Sequence, residues 1–141
     1  MKKSIPFILI CFSLVSCGDA FKDTFKSKST AEPQIAIFHE RLNSERYDEI
    51  YDTATEEYRK GGTREKMAQL FSAINRKLGT VKSSRIVNWR VNILNLTTYV
   101  VLVSETEFER GTATETFSFL ISGDNAILHG YIIKSLDMMM Q

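Results

Sequence analysis

Residues 111–134, GTATETFSFLISGDNAILHGYIIK, contain two runs of alternating apolar and polar side chains around a Gly-Asp-Asn turn. In the first run Phe117 and Phe119 fall on one face, and threonine and serine residues fall on the other. A period of two is typical of a half-buried strand, and a short Gly-rich loop joins antiparallel neighbours. The stretch therefore predicts a β-hairpin with strands at 113–122 and 126–136.

The same period extends upstream to Gly79, so the hairpin is part of a larger sheet. Residues 81–94 place Trp89 and Val91 on one face, and residues 97–110 continue the alternation up to a turn at Gly111. Four consecutive strands joined by short turns predict an antiparallel meander. Strands of this length twist and curl, so we expect a curved sheet.

Before Gly79 the apolar period is 3.6, which is typical of helices. Thr30 and Pro33 predict a helix start, because Thr can cap a helix and Pro suits its first turn. A short helix follows at 47–54, and a longer one is predicted from the N-cap Thr63 to Gly79. The fold class is therefore α+β: N-terminal helices packed on a curved, meandering four-stranded antiparallel sheet, cone-like in shape, over residues 32–136. Residues 137–141 read as a tail.

The N-terminus begins with Lys2 and Lys3, followed by an apolar run from Ile5 to Val15. That run is shorter than the roughly 20 residues that a spanning helix needs, but it suits a signal peptide. Its end, Leu14-Val15-Ser16-Cys17, resembles the lipobox of bacterial lipoproteins. The resemblance implies a signal peptide at residues 1–16, cleavage before Cys17 and acylation of Cys17. The alternative is an incidental cysteine in a plain signal or an uncleaved anchor.

Lipidation would place the protein in the bacterial cell envelope, because two or more acyl chains hold a protein stably on a bilayer. The resemblance to enterobacterial lipoproteins implies that Asp after the Cys would favour retention in the inner membrane, so Gly18 points to the outer membrane if the host is Gram-negative. The domain would then face the periplasm or the exterior. Residues 17–31 are small, polar and Lys-rich, which predicts a flexible lipid-anchored tether. The alternative is a short interfacial helix carrying Phe21 and Phe25.

Three segments of the body resemble the cone-fold superfamily of nuclear transport factor 2 and ketosteroid isomerase, in particular its exported bacterial domains of unknown function. They are Tyr47-Asp48-Glu49-Ile50-Tyr51, Thr63-Arg64-Glu65-Lys66-Met67 and Ile127-Leu128-His129-Gly130-Tyr131-Ile132-Ile133. These are packing positions rather than chemical motifs. The resemblance implies a concave pocket and, in many members, homodimerisation through the sheet.

The composition argues against several classes of function. The formal net charge of +1 gives no field that would favour nucleic acid. Cys11 and Cys17 are the two cysteines, so the body has no disulfide framework and no thiol nucleophile. His39 and His129 are the two histidines, without the spacing of a metal site. We therefore expect no metal and no cofactor.

We predict a non-enzymatic module that binds a small apolar ligand or another envelope protein. The residues predicted to line its pocket are Tyr51, Tyr99, His129 and Tyr131. Alternation along the last strand places His129 and Tyr131 on the same face. The alternative is a small isomerase-like or dehydratase-like enzyme, which needs a carboxylate in an apolar pocket facing a tyrosine. Its candidate carboxylates are Asp48, Asp52 and Glu107, and nothing in the sequence pairs any of them with a tyrosine, so no catalytic residue is assigned.

Overall fold

Four antiparallel strands form a meander that curves without closing. The computed structural model describes residues 18–140, and its strands follow the sequence in the order β1-β2-β3-β4. They are β1 (Val81–Leu94), β2 (Thr97–Phe108), β3 (Gly111–Ser122) and β4 (Asn125–Lys134). The predicted α+β class, with helices followed by a curved four-stranded antiparallel sheet, is confirmed.

Within residues 18–140, four helices precede the sheet and a short one follows it. They are α1 (Gly18–Asn43), α2 (Tyr47–Asp52), α3 (Glu56–Lys60), α4 (Arg64–Leu78) and α5 (Leu136–Met140). Helix α1 contacts all four strands. The core lies between the helices and one sheet face, where fully buried aromatic and aliphatic side chains meet. Its largest apolar members are Phe71, Phe117, Phe119, Leu42, Ile50, Ile74, Leu78, Leu102 and Val100.

Helix α4 begins and ends where the sequence predicts. The Thr63 side chain accepts a hydrogen bond from the Lys66 backbone N–H at 3.3 Å, which satisfies one of the free donors of the first turn. Gly79 follows the last turn with a φ of +79°, in the left-handed region that glycine enters without a steric cost. Its N–H donates to the Asn75 carbonyl at 2.8 Å.

The predicted helix start at Thr30 and Pro33 is wrong, because α1 begins at Gly18 and both residues lie inside it. Residues 18–31, which we expected to be a flexible tether, are helical up to the predicted domain boundary and beyond it. The Thr30 hydroxyl bonds backwards to the Lys26 carbonyl at 2.9 Å, so it does not act as a cap. Cys17 lies outside the described residues.

Tertiary contacts explain this extension of α1. Phe25 lies on the ring of Trp89 in β1, with the ring centroids 5.5 Å apart. Lys28 pairs with Glu32 one turn later and lies over the same Trp89 ring, 5.5 Å from its centroid. A short helix gains most of its stability from such packing rather than from its own propensity, so these contacts favour helix over tether.

The last residues are also more ordered than the predicted tail. Helix α5 packs beside β3 and α4. The Met138 backbone N–H donates to the Ser135 hydroxyl at 3.2 Å, and Lys77 Nζ donates to the Met138 carbonyl at 2.8 Å. These bonds hold the chain end against the sheet.

Candidate functional site

A fully buried carboxylate, Glu115, lies between α1 and the sheet. Its Oε2 accepts from the Thr106 hydroxyl at 2.6 Å and lies 2.7 Å from His39 Nε2. Its Oε1 accepts from the Tyr131 hydroxyl at 2.6 Å. An ionised carboxylate only accepts, so with Glu115 in that form His39 donates from Nε2. We call Glu115, His39, Thr106 and Tyr131 the Glu115 cluster.

Each member of the cluster comes from a different element. Glu115 is on β3, where its parity matches the buried residues Ala113 and Phe117, so alternation alone directs its side chain inward. Thr106 faces it from β2 and Tyr131 from β4, while His39 comes from α1. The cluster therefore ties α1 to three strands.

Aromatic rings enclose the cluster on its apolar side. Phe38, Phe71 and Phe117 all lie within 6.0 Å of the Tyr131 ring, centroid to centroid. Burial raises the pKa of the Tyr131 hydroxyl well above its ordinary value, and the neighbouring Glu115 raises it further. A buried charge with three donors is satisfied, whereas the same charge with one partner removed would be costly.

An open groove lies at the end of the sheet near this cluster, with a volume of about 1200 Å³. We call it the end groove. Its apolar wall consists of Ala113, Ile133, Leu136, Met138 and Met139. Hydroxyl groups also line the groove, and they belong to Ser83, Ser84, Thr106, Thr112, Thr114 and Ser135. A charged rim completes the lining, with Arg85, Glu105, Glu107, Lys134 and Asp137.

Two hydroxyls connect the groove to the buried carboxylate. The Ser84 and Thr106 hydroxyl oxygens are 2.9 Å apart, and both residues line the end groove. Since Thr106 donates its proton to Glu115, Ser84 donates to Thr106. Glu115 itself lies behind this wall. On the other side, His39 and Ser84 line a smaller groove of about 530 Å³ between α1 and β1.

The four tyrosine and histidine residues predicted to line a pocket do not converge. Tyr99 and His129 meet, with ring centroids 4.9 Å apart, and His129 Nδ1 lies 3.0 Å from the Thr55 hydroxyl. The Tyr51 hydroxyl donates to the Arg59 and Gly62 carbonyls, which fixes the turn after α3. Tyr131 alone joins the Glu115 cluster.

A β-bulge separates two residues that the sequence placed on one face of β4. Ser118 pairs with Gly130 and Phe119 pairs with Leu128, so His129 is the extra residue of the bulge. The expected shared face of His129 and Tyr131 is therefore wrong. A bulge inserts one residue into the alternation and reverses the faces beyond it.

The candidate carboxylates named from the sequence are all exposed. Asp48 and Asp52 face Arg64, and Glu107 lies on the outer side of β2, 3.4 Å from the Ser83 hydroxyl. Glu115 was not among the functional residues predicted from the sequence. The sequence does carry a sign of its burial: Glu115 alternates in step with Ala113 and Phe117, so a single acidic residue falls among the inward-facing positions of this strand.

No family model matches this chain, and no curated protein matches it. None of the helices within residues 18–140 is long and apolar enough to cross a membrane.

Proposed function

We propose that the chain is a lipid-anchored protein of the bacterial cell envelope whose domain binds a small apolar ligand in the end groove. The observation that supports a ligand site is the end groove itself. Its apolar wall of Ile133, Leu136, Met138 and Met139 lines the same space as a row of hydroxyls. Binding sites for small molecules are concave and largely apolar, with a few placed polar groups. Methionine suits such a wall because its unbranched side chain adapts to ligand shape.

The charged rim favours a ligand with an apolar body and a polar end. Arg85 and Glu105 form an exposed ion pair at 2.7 Å on this rim, and Lys134 lies among its lining residues. An apolar chain would lie along the methionine wall, and its polar end would meet the hydroxyls of Ser83 and Thr112. Such a ligand needs no reacting group, so binding alone accounts for these features.

The attachment through Cys17 rests on the lipobox resemblance. Cys17 directly precedes Gly18, the first residue of α1, so acylation would hold the domain at the bilayer by a helix. We expect wild-type protein in the membrane fraction with acyl mass on Cys17. The attachment fails if Cys17→Ala and wild type partition alike and no acyl mass is present.

A second candidate is an isomerase-like or dehydratase-like enzyme, and one observation favours it: Tyr131 donates to Glu115 at 2.6 Å in an apolar surrounding. This pairing resembles what such chemistry needs. Against it, Glu115 has three bonded donors and no exposed surface, so a substrate would first have to displace Thr106. We therefore rank binding above catalysis.

Photo-crosslinking tests the ligand site in the full-length protein, in membranes. The probe is a long-chain fatty acid with a diazirine on its chain, and peptide mass spectrometry locates its adducts. We expect adducts on residues 133–139, strongly reduced by Met139→Asp. Met140→Asp is the matched control, because Met140 is equally exposed and lies outside the groove lining.

Equal adduct yields in the two methionine variants would overturn the ligand site, as would adducts elsewhere only. Glu115→Gln separates the two candidate functions. If the groove only binds, the variant keeps the adducts whenever it is folded. Conversion of a probe by the wild type that is lost in a folded Glu115→Gln protein would favour the enzyme.

A further inference from the structure

The turn between β1 and β2 carries an exposed apolar tip in a strained conformation. Ile93, Leu94 and Leu96 are 73%, 64% and 99% exposed. Asn95 and Leu96 have φ values of 50° and 62°, both in the left-handed region. We call Ile93, Leu94, Asn95 and Leu96 the hairpin tip.

A leucine at this position is costly in two ways. Two-residue hairpin turns with both φ values positive favour Asn-Gly, because a side chain in the left-handed region clashes with its own backbone. The next hairpin turn at this end of the sheet uses Gly123, with a φ of 61°, for the same purpose. Leu96 therefore accepts strain while its side chain gains no burial in the domain. A binding partner that covers the tip would explain the choice.

The hairpin tip lies at the end of the sheet where α1 starts. Thr98 pairs with Ile121, so the β1–β2 and β3–β4 turns are level with each other. Lys26 Nζ lies 3.1 Å from Asp124 in the second turn, whereas Asn43, at the end of α1, bonds Val81 at the opposite end. Eight residues of helix precede Lys26, about 12 Å at 1.5 Å per residue, so α1 begins at this end of the domain.

Apolar side chains of α1 extend the exposed surface there. Phe21 is 67% exposed and lies on Phe25, with ring centroids 4.7 Å apart. The preceding chain contains Cys17 and the apolar run from Ile5 to Val15. On the proposed attachment, acyl chains on Cys17 directly adjoin Gly18. The bilayer is then the occupant that reaches this surface first.

We propose that the hairpin tip, together with Phe21, inserts into the bilayer interface and fixes the orientation of the domain. The inference rests on the proposed attachment to the membrane. Apolar side chains displayed next to a lipid anchor add a second contact, and the two together restrict rotation of the domain. The end groove lies at the opposite end of the sheet, so this orientation turns it away from the bilayer.

A probe at the tip tests the insertion in full-length protein reconstituted into phosphatidylethanolamine–phosphatidylglycerol vesicles. An environment-sensitive NBD dye is attached to Leu96→Cys. The same dye on Arg76→Cys is the control, because Arg76 is exposed, lies at the opposite end of the domain and is outside the lining of the end groove. Unsubstituted protein treated with the reagent gives the background from Cys11 and Cys17. We expect blue-shifted emission at Leu96 and quenching by lipid-borne nitroxides severalfold stronger than at Arg76. Because the tip is uncharged, high salt should leave both effects unchanged.

The outcomes separate the tip from the anchor. If the protein floats with the vesicles and the Leu96 dye reports water as the Arg76 dye does, insertion of the tip is overturned while the attachment stands. Shielding of the Leu96 dye from water without lipid quenching would show that a protein covers the tip, either a second copy of this chain or another partner. This result would also overturn insertion of the tip into the bilayer. Loss of flotation in Cys17→Ser, with quenching at Leu96 kept in the wild type, supports both proposals.

An asparagine series gives an independent measure. Leu94→Asn and Leu96→Asn together should weaken the quenching of a dye placed on Ile93→Cys. Ile132→Asn removes a comparably exposed aliphatic side chain near the end of β4 that is far from the tip, and should not weaken the quenching. Equal effects from the two changes would contradict insertion through the tip.

Discussion

His39 Nε2 lies 2.7 Å from Glu115 Oε2 although 76 positions separate the two residues in the chain. Both side chains are buried, and the contact joins α1 to the middle of the sheet. A buried carboxylate is stabilised by such donors and destabilised by the loss of any one of them.

Glu115→Gln should lower the free energy of unfolding. The glutamine amide keeps one acceptor oxygen, so one of the donors on His39, Thr106 and Tyr131 would face an NH₂ group. A buried donor left without an acceptor costs about 1–3 kcal/mol. Urea unfolding measures the change, with Glu107→Gln as the exposed control, for which we expect a change within about 0.5 kcal/mol. Equal losses in the two variants would count against a satisfied buried carboxylate.

Tyr131→Phe should also destabilise the domain, although its ring would still pack on Phe38 and Phe117. The lost bond is to a charged group, and such bonds contribute about 1.5–3 kcal/mol. Tyr99→Phe is the matched control, because no residue in the range 18–140 hydrogen-bonds that hydroxyl. A stability change in Tyr131→Phe no larger than in Tyr99→Phe would exclude a stabilising role for the bond to Glu115.

Tyr58→Phe should leave the domain as stable as the wild type or make it more stable. The Tyr58 hydroxyl is buried without a hydrogen-bond partner among the described residues, and burial raises its pKa to about 12. Removing an unsatisfied hydroxyl removes a desolvation cost of about 1–3 kcal/mol. Tyr51→Phe, which loses bonds to two carbonyls, should be destabilising instead.

The same residue predicts how stability depends on pH. Below pH 10 the Tyr58 hydroxyl is protonated in both the folded and the unfolded chain. Above pH 10 the unfolded chain loses this proton, while the folded chain keeps it until about pH 12. The unfolded state then binds fewer protons, so stability falls as the pH rises through this range. Between pH 9 and pH 11 the free energy of unfolding should fall less for Tyr58→Phe than for the wild type. An equal fall in the two proteins would contradict the burial of the Tyr58 hydroxyl.

Leu96→Gly should stabilise the domain while it weakens insertion of the hairpin tip. Glycine relieves a side chain held at a φ of 62°, for which the steric cost is about 1–2 kcal/mol. Leu94→Gly, at a regular strand position, should instead lower stability by about 0.5–1 kcal/mol. Thermal unfolding in parallel with vesicle quenching checks both effects. A loss of stability in Leu96→Gly would show that the leucine is not strained.

Local periodicity predicted most of the fold. The turn at Gly123, the N-cap Thr63 and the end of α4 at Gly79 each depend on neighbouring residues, and each is found where it was predicted. The turn predicted at Gly111 lies just before it, at residues 109–110, and Gly111 is the first residue of β3. The start of α1 was wrong because Phe25 gains its support from Trp89, which is 64 positions away. No cap or period within α1 encodes that contact.

The candidate site was harder to predict for the same reason. Glu115 carried a local signal, since it shares the parity of Phe117, but its partners come from α1, β2 and β4. The bulge at His129 shifted the faces of β4, so Tyr131 joined Glu115 while His129 joined Tyr99. A bulge depends on the fit between two strands, and the sequence of one strand does not reveal it.

Attachment through Cys17 is the claim on which the proposed function most depends, and the mass of the N-terminal peptide tests it directly. The full-length chain is expressed in a bacterium, extracted from the membrane fraction and digested for mass spectrometry. We predict a terminal peptide that begins at Cys17 and carries the added mass of acyl chains. A peptide with unmodified Cys17, or one that still contains residues before it, would contradict the account.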